Sequence, residues 1–319
     1  MKISIIGCGN IIIKEHIPAI ISLGIKVCAL CDLSIENINK AKNLLHYDVP
    51  SFLYYKELVY IIKPNIVLIA LPHNIYCEVL SFCSQFPMRI IKEKPFALTL
   101  LESKIFSDFS RSRSFKIFTV CQKRYTLAYE ILKHEVQRIN EKISYLKIRY
   151  TIPSNNPNKD WRRQYATSGG GVWFDMGYHI VDIINYLFDG KEIKVNYARL
   201  INSSCHYYNV DDIAFVEFEC DGAIILAYIS CVAIEKYEDV TMYGQNTIFH
   251  ANKNHITLKN KKQEILKYIK VENTSPFVKM YQEFLCNGGE AAFERNLSRS
   301  ISLMRVLEEA SKKSNFCKK

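Results

Sequence analysis

The chain reads as two architectures in succession: an α/β domain with a doubly wound parallel sheet, then an α+β domain with a large, mostly antiparallel sheet. Three observations carry this. From Met1 to about Gln122, short apolar runs alternate with amphipathic segments of helix length, the pattern of parallel strands covered on both faces. Beyond that point, strand-like runs come to follow one another without helices between them, which points to antiparallel pairing. Finally, 319 residues are enough for two domains. The expected domains are residues 1–122 and 123–319.

In the first domain the expected strands are Lys2–Ile6, Lys26–Cys31, Ile66–Ala70, Arg89–Lys92 and Ile117–Cys121. The helices between them are Ile11–Ile21, Ile35–Leu44, Tyr55–Ile62, Ile75–Ser84 and Thr99–Ser112. A helix over Leu127–Gln137 and a long loop, residues 152–171, lead to the segment "SGGGVWFDMGYHIVDIINYLF" (168–188). Strands are then expected at Ile193–Asn202, Ile213–Cys220, Ala223–Cys231, Val240–Tyr243 and Thr247–Ala251, and two helices, Pro276–Asn287 and Leu297–Ser314, follow.

Composition narrows the function classes. Net charge is +10, from 42 Lys and Arg against 32 Asp and Glu, but the lysines are scattered, so a solvated basic surface is expected and nucleic acid is not a partner. The 11 cysteines show no paired framework and read as small buried hydrophobes of a reducing compartment. Cys28 and Cys31 form a C-x-x-C inside a strand, where they point to opposite faces. No His, Cys, Asp and Glu cluster has metal-ligand spacing, so no metal is expected. The first residues lack the apolar region of a signal peptide and no run approaches membrane-spanning length, so a cytoplasmic protein with no membrane contact is expected.

The first strand runs into "GCGNIIIKEH". Gly7 permits a tight turn, Gly9 lets backbone approach a pyrophosphate, and the N–H groups opening the helix at Asn10, Ile11 and Ile12 can receive its charge. Asp32 ends the second strand 20 residues after Ile12, where a carboxylate accepts from an adenosine ribose. Its charge repels a 2′-phosphate, and Leu33 and Ser34 supply no arginine to welcome one, so NAD is preferred, with NADP as the alternative. Ser34 is the better cap of the next helix. Ile12 holds the place of the third glycine, so a slightly displaced helix is expected.

Asp175 and His179 lie four residues apart in an otherwise apolar helical segment, on one face. Alone, such a pair is more often a satisfied core pair than a catalytic one. The company it keeps changes that reading. "GCGNIIIKEH", "IALPHNIY", "KEKPFALTLLES", "QKRY", "DWRR" and "GGGVWFDMGYHIVDIINYL" stand in the order of the motifs of the glucose–fructose oxidoreductase / inositol dehydrogenase (Gfo/Idh/MocA) family, which the chain resembles over roughly residues 1–190.

The resemblance implies an N-terminal Rossmann domain, a nicotinamide cofactor and a set of roles. Glu93-Lys94-Pro95 looks like the family's E-K-P signature, in which the lysine lies near the nicotinamide and the proline is often cis. Asp175 and His179 match its other two catalytic residues. Leu71, Pro72, His73, Asn74 and Tyr76 resemble the loop that passes the cofactor ribose, with Leu71 and Tyr76 departing from the family's usual threonine and histidine. Gln122, Trp161 and Arg162 fall at further cofactor positions. Arg124, Tyr125 and Arg163 are substrate-side candidates beside Lys94, Asp175 and His179, with Arg163 equally readable as a surface charge. His16 matches a frequent family histidine and is read as structural.

These residue types suit one chemistry. Oxidising a secondary alcohol needs a base for the hydroxyl proton, and reducing the ketone needs an acid at the same place. His179 has a side chain suited to both near neutrality. Asp175 can orient the imidazole or bond a neighbouring hydroxyl, and Lys94 can polarise the oxygen. The expected activity is interconversion of alcohol and ketone on a sugar, cyclitol or nucleotide-linked sugar, with the arginines leaning towards an anionic one. The alternatives are a non-catalytic dinucleotide-sensing regulator and an NAD-recycling glycosidase or eliminase. The resemblance also implies a homo-oligomer, dimer or tetramer, through the open face of the second sheet, with Val216, Phe218 and Tyr228 expected there.

Overall fold

The computed structural model describes residues 1–111, 114–153, 161–203, 209–272, 274–287 and 289–314. Contacts divide the chain into two units, Met1–Val120 with Phe277–Ile301, and Cys121–Pro276 with Ser302–Lys319.

In the first unit the strands are β1 (Lys2–Ile6), β2 (Lys26–Cys31), β3 (Ser51–Phe52), β4 (Ile66–Ile69), β5 (Met88–Lys92) and β6 (Phe115–Thr119). All pair in parallel, in the order β3-β2-β1-β4-β5-β6. Beside β1 the order reverses, the switch point where such sheets bind ligands. The connecting helices are α1 (Ile17–Ser22), α2 (Ile35–Leu45), α3 (Tyr55–Ile62), α4 (Tyr76–Cys83) and α5 (Leu100–Ser110). Ser34 caps α2 by accepting from Asn37 N, and Thr99 caps α5 by accepting from Glu102 N, which sets both helix starts. Ile12 is fully buried where a third glycine would pack, and the chain enters α1 through a widened π turn over Ile12–His16.

The expected boundary gave everything after residue 122 to the second domain; the structure corrects this. Phe277–Ile301 belongs with the first unit because Phe284 and Phe293 pack on Phe118, with ring centroids 4.1 and 6.3 Å away. Asn296 also serves both the N–H and the C=O of Thr119 at 2.8 and 2.9 Å.

In the second unit α6 (Leu127–Ile139), α7 (Tyr165–Ser168) and α8 (Tyr178–Leu187) accompany strands β7 (Tyr145–Thr151), β8 (Ile193–Ile201), β9 (Ile213–Cys220), β10 (Ala223–Ser230), β11 (Tyr237–Tyr243), β12 (Thr247–Asn252), β13 (His255–Asn260) and β14 (Ile265–Lys270). Their order is β14-β13-β12-β11-β7-β10-β9-β8, antiparallel except for β7 with β10. The sequence pattern names no strand at β7, β13 or β14, yet β7 is central. Of the long expected loop 152–171, residues 154–160 lie outside the described residues.

Strand alternation decides which side chains face outward. Val216 and Phe218 are buried on the inner face, a correction of one residue in parity. The outer face keeps Tyr228 and adds Phe215, Leu226 and Tyr197, with Phe215 and Tyr228 stacked at 4.9 Å. Among the described residues, no helix is long and apolar enough to cross a membrane, and no group of three or more His, Cys, Asp and Glu could hold a metal.

Candidate active site

In the first unit the site begins where β1 ends. Gly7 has φ +88°, and a Cβ there would lie 2.1 Å from Ala70 O, so only glycine fits. Around a Cβ built on Gly9 there is nothing within 4 Å, so the backbone there is open to a ligand. Cys8 N donates to Asp32 Oδ2 at 2.6 Å and Ser34 N to Asp32 Oδ1 at 2.8 Å. The carboxylate is thereby drawn against the glycine turn, with Asn37 Nδ2 as a longer donor at 3.4 and 3.5 Å from its two oxygens. Ile12 N and Ile13 N are spent on Gly9 O, and Ile12 is buried, so its expected cofactor contact is not supported; Asn10 and Ile11 remain accessible. Burial, with the Asp32 charge beside it, pushes the Cys8 and Cys31 thiols up to about 12, so neither supplies a thiolate.

The E-K-P stretch leaves β5. From Ile91 to Ala97 every residue is buried except Lys94, and the Lys94–Pro95 peptide bond is cis. Glu93, expected at the cofactor with the rest of the E-K-P signature, is instead bonded within the protein. His16 Nε2 lies 2.8 Å from Glu93 Oε1 and His16 Nδ1 2.5 Å from the Tyr281 hydroxyl. Burial would raise the Glu93 carboxyl, but the bond to His16 holds it below the usual carboxylate range. His16 is therefore structural, as its sequence context implies. Tyr76 also turns inward: its ring is buried, Leu71 N donates to its hydroxyl at 3.3 Å, and that hydroxyl donates to Ile69 O. The apolar helix after the loop pulls the ring into the core, so Tyr76 supports the loop from beneath. His73 is nearly buried, while Leu71, Pro72 and Asn74 retain exposure.

In the second unit the Asp175 and His179 segment is built on close backbone approach. A Cβ on Gly171 would lie 1.9 Å from Asp211 O. Gly171 N and Trp173 N donate to the Asp211 carboxylate at 3.0 and 2.7 Å, and Val172 N to its carbonyl at 2.9 Å. One residue thus satisfies three of the N–H groups that open the helix. Burial lifts the Asp211 carboxyl to about 6 against these bonds. The first turns, Trp173–Gly177, are π-helical and continue into α8. From Gly170 to Asn185 only Asp175 is not buried, and Arg162 Nε reaches to 3.7 Å of its carboxylate while stacking on Trp161 at 4.4 Å.

His179 presents its ring to the Tyr150 ring at 6.4 Å. Around Tyr150 lies a polar set that sequence reasoning missed. Lys123 Nζ is 4.7 Å from that ring and donates to Glu238 Oε2 at 2.5 Å, and the Tyr129 hydroxyl donates to Glu238 Oε1. The signal was the alternation of Leu146, Ile148 and Tyr150 in β7, which puts Tyr150 on the inner face. Arg124, expected on substrate, is instead committed to Asp182, both of whose carboxylate oxygens accept from it, with Asp182 fully buried. A buried carboxylate demands such a partner. Arg163 donates to Cys231 Sγ, and Tyr125 is nearly buried. Among the described residues Gln122 Oε1 is buried with no hydrogen-bond partner, an acceptor that a donor on a ligand would satisfy. The open Gly9 backbone and the Asp32 carboxylate fit a dinucleotide.

Comparison with known proteins agrees with this fold. The family profile described as oxidoreductase family, NAD-binding Rossmann fold, matches residues 1–120, and that of the GFO/IDH/MocA C-terminal domain matches residues 142–251. Levoglucosan dehydrogenase of Pseudarthrobacter phenanthrenivorans is 28% identical over 127 residues, 39% of this chain and 33% of that protein. The match thus spans about a third of that relative's length. An oxidoreductase from Thermotoga maritima has a TM-score of 0.84 at 16% identity, covering 98% of this chain and 96% of that one. A 3-ketoreductase from Actinomadura kijaniata, in complex with NADP and TDP-benzene, has a TM-score of 0.85 at 13% identity, covering 98% and 97%.

Proposed function

Because the chain belongs to the GFO/IDH/MocA oxidoreductase family, we propose that it interconverts a secondary alcohol and a ketone on a sugar, cyclitol or nucleotide-linked sugar, with NAD preferred over NADP. One observation carries the reading: the Gly7–Gly9 turn is open at Gly9 and has the Asp32 carboxylate bonded against it. The similarity to levoglucosan dehydrogenase supports the sugar class.

A bound nicotinamide would accept or supply the hydride. The turn at Gly7 and Gly9, with the N–H groups of Asn10 and Ile11, holds the pyrophosphate. Asp32 accepts from the ribose hydroxyls, and its charge disfavours a 2′-phosphate. Leu71, Pro72, His73, Asn74, Gln122, Trp161 and Arg162 complete the cofactor contacts. Lys94 polarises the substrate oxygen. His179 takes the hydroxyl proton in oxidation and returns it in reduction, and Asp175 bonds a neighbouring hydroxyl. With Arg124 committed to Asp182, support for an anionic sugar narrows to Arg162 and Arg163.

The test is turnover across inositols, free sugars, uronic acids and nucleotide sugars with each cofactor, followed by absorbance of the reduced nicotinamide. Activity should favour NAD, and Asp32→Ala should shrink the NAD-to-NADP ratio by about tenfold, the loss of one charge-assisted discrimination. Silence with every substrate while NADH still binds would move the reading to a dinucleotide-sensing regulator.

The outer face of the second sheet supports a homo-oligomer. Tyr197, Phe215 and Leu226 are 55, 44 and 41% exposed around a depression of about 270 Å³, a contiguous apolar surface of the kind that marks interfaces. Sedimentation velocity should give a dimer or larger, and Phe215→Glu with Leu226→Glu should yield monomers. A monomeric wild type would refute the assignment.

A further inference from the structure

Lys92 ends β5 and is fully buried, a costly place for an amine unless its N–H groups find acceptors. Its Nζ donates to Glu93 O at 2.9 Å and to Pro95 O, the two carbonyls that bracket Lys94. The same nitrogen lies 3.6 Å from the centroid of the Tyr76 ring, an attractive cation–π geometry. Tyr76 in turn closes the neighbouring loop, through its bonds with Leu71 N and Ile69 O and its stacking with His73 at 6.5 Å. A tyrosine at position 76 therefore has a physical reason that the resemblance does not supply: it gives the buried ammonium a π face.

We propose that Lys92 is a positioning residue of the nucleotide site: its buried ammonium fixes the backbone on either side of Lys94 and ties it, through Tyr76, to the loop Leu71–Asn74. The proposal rests on reading those two stretches as the nicotinamide end of a dinucleotide site.

The clamp is sensitive to protonation. Burial brings the Lys92 amine down to about 7, with Glu93 and Glu102 drawing the proton on and Lys94 repelling it. Below that pH the side chain is an ammonium. Above it, the neutral amine keeps two N–H groups but loses charge assistance and turns a lone pair towards the negative face of Tyr76. The grip on Lys94 therefore weakens as pH rises through about 7. Folding stability moves the other way. Between about 7 and the ordinary value of 10.5 the unfolded chain holds a proton that the folded one has released, so this group makes stability rise with pH.

Lys92→Met keeps the length and removes a costly buried amine but also takes the donor from Glu93 O and Pro95 O; the urea midpoint shows whether the variant folds, and a wild-type affinity that stays flat across pH 7 overturns the proposal whatever that midpoint is. NADH affinity, read by fluorescence, and the urea midpoint without cofactor are measured from about pH 6 to pH 9. Wild-type affinity should fall about fivefold across an inflection near pH 7. Lys92→Met should bind about tenfold more weakly at pH 6 and show no such inflection, and its stability should lack the rise with pH. Tight wild-type binding that Lys92→Met leaves unchanged in strength and pH profile would overturn the proposal alone. A wild type that binds no NADH at any pH would overturn the dinucleotide reading and the proposal with it.

Discussion

Replacing His179 by alanine should cut turnover of the best substrate by about 10² to 10⁴-fold, the usual worth of a positioned general acid–base, while NADH binding persists. His179 is nearly buried, at the start of α8, with the Tyr150 ring against it and Lys123 and Glu238 beyond. A ring held between a helix and a central strand is pre-organised, and a pre-organised proton donor gains most of its effect from geometry. Lys94→Ala should cost a comparable factor, since Lys94 is the one residue between Ile91 and Ala97 that is not buried. Steady-state rates measured against pH decide the matter. Should either variant turn over within about threefold of wild type, its assigned role is wrong.

Gly171→Ala should destabilise the protein by about 3 kcal/mol or more. The added Cβ would sit 1.9 Å from Asp211 O and 2.6 Å from Asp211 N, and backbone cannot swing aside as a flexible side chain can. Any shift that relieved the clash would also break the bonds from Gly171, Val172 and Trp173 to Asp211, leaving orphaned N–H groups at the start of the helix. Thermal melting should fall by roughly 6–12 °C for a unit of this size. A melting temperature within about 2 °C of wild type would show that the approach is looser than this geometry requires.

Most strands and helices of the first unit were legible, though not β3, the π turn before α1 or the membership of Phe277–Ile301. β1 and β2 run from the residues named, and α2 and α3 nearly so, because apolar runs of parallel strands and capped amphipathic helices are local signals. The polar partners were not legible. His16 meets Tyr281 across a sequence separation of 265, and no periodicity announces such a pairing. Lys92 gave a faint sign, a lysine in a run whose other positions had to be buried, yet the neighbouring Lys94 drew the catalytic reading on its own. Arg124 was assigned to substrate on the resemblance, and nothing local announces its pairing with Asp182, 58 residues on. Val216 and Phe218 failed for a simpler reason: strand parity has a period of two, so one residue of error inverts a face.

The division of the first unit along the chain bears on its synthesis. Met1–Val120 leaves the ribosome well before Phe277–Ile301, at ordinary elongation rates of 5–20 residues per second about ten to thirty seconds earlier. Through that interval His16 has no Tyr281 to bond, and Thr119 has no Asn296. The sheet that carries the dinucleotide turn can form early, but the buried network that fixes Glu93 beside Lys94 is completed only after the whole antiparallel sheet has been made. Assembly of the surroundings of Lys94 is thereby deferred until Tyr281 and Asn296 have been made.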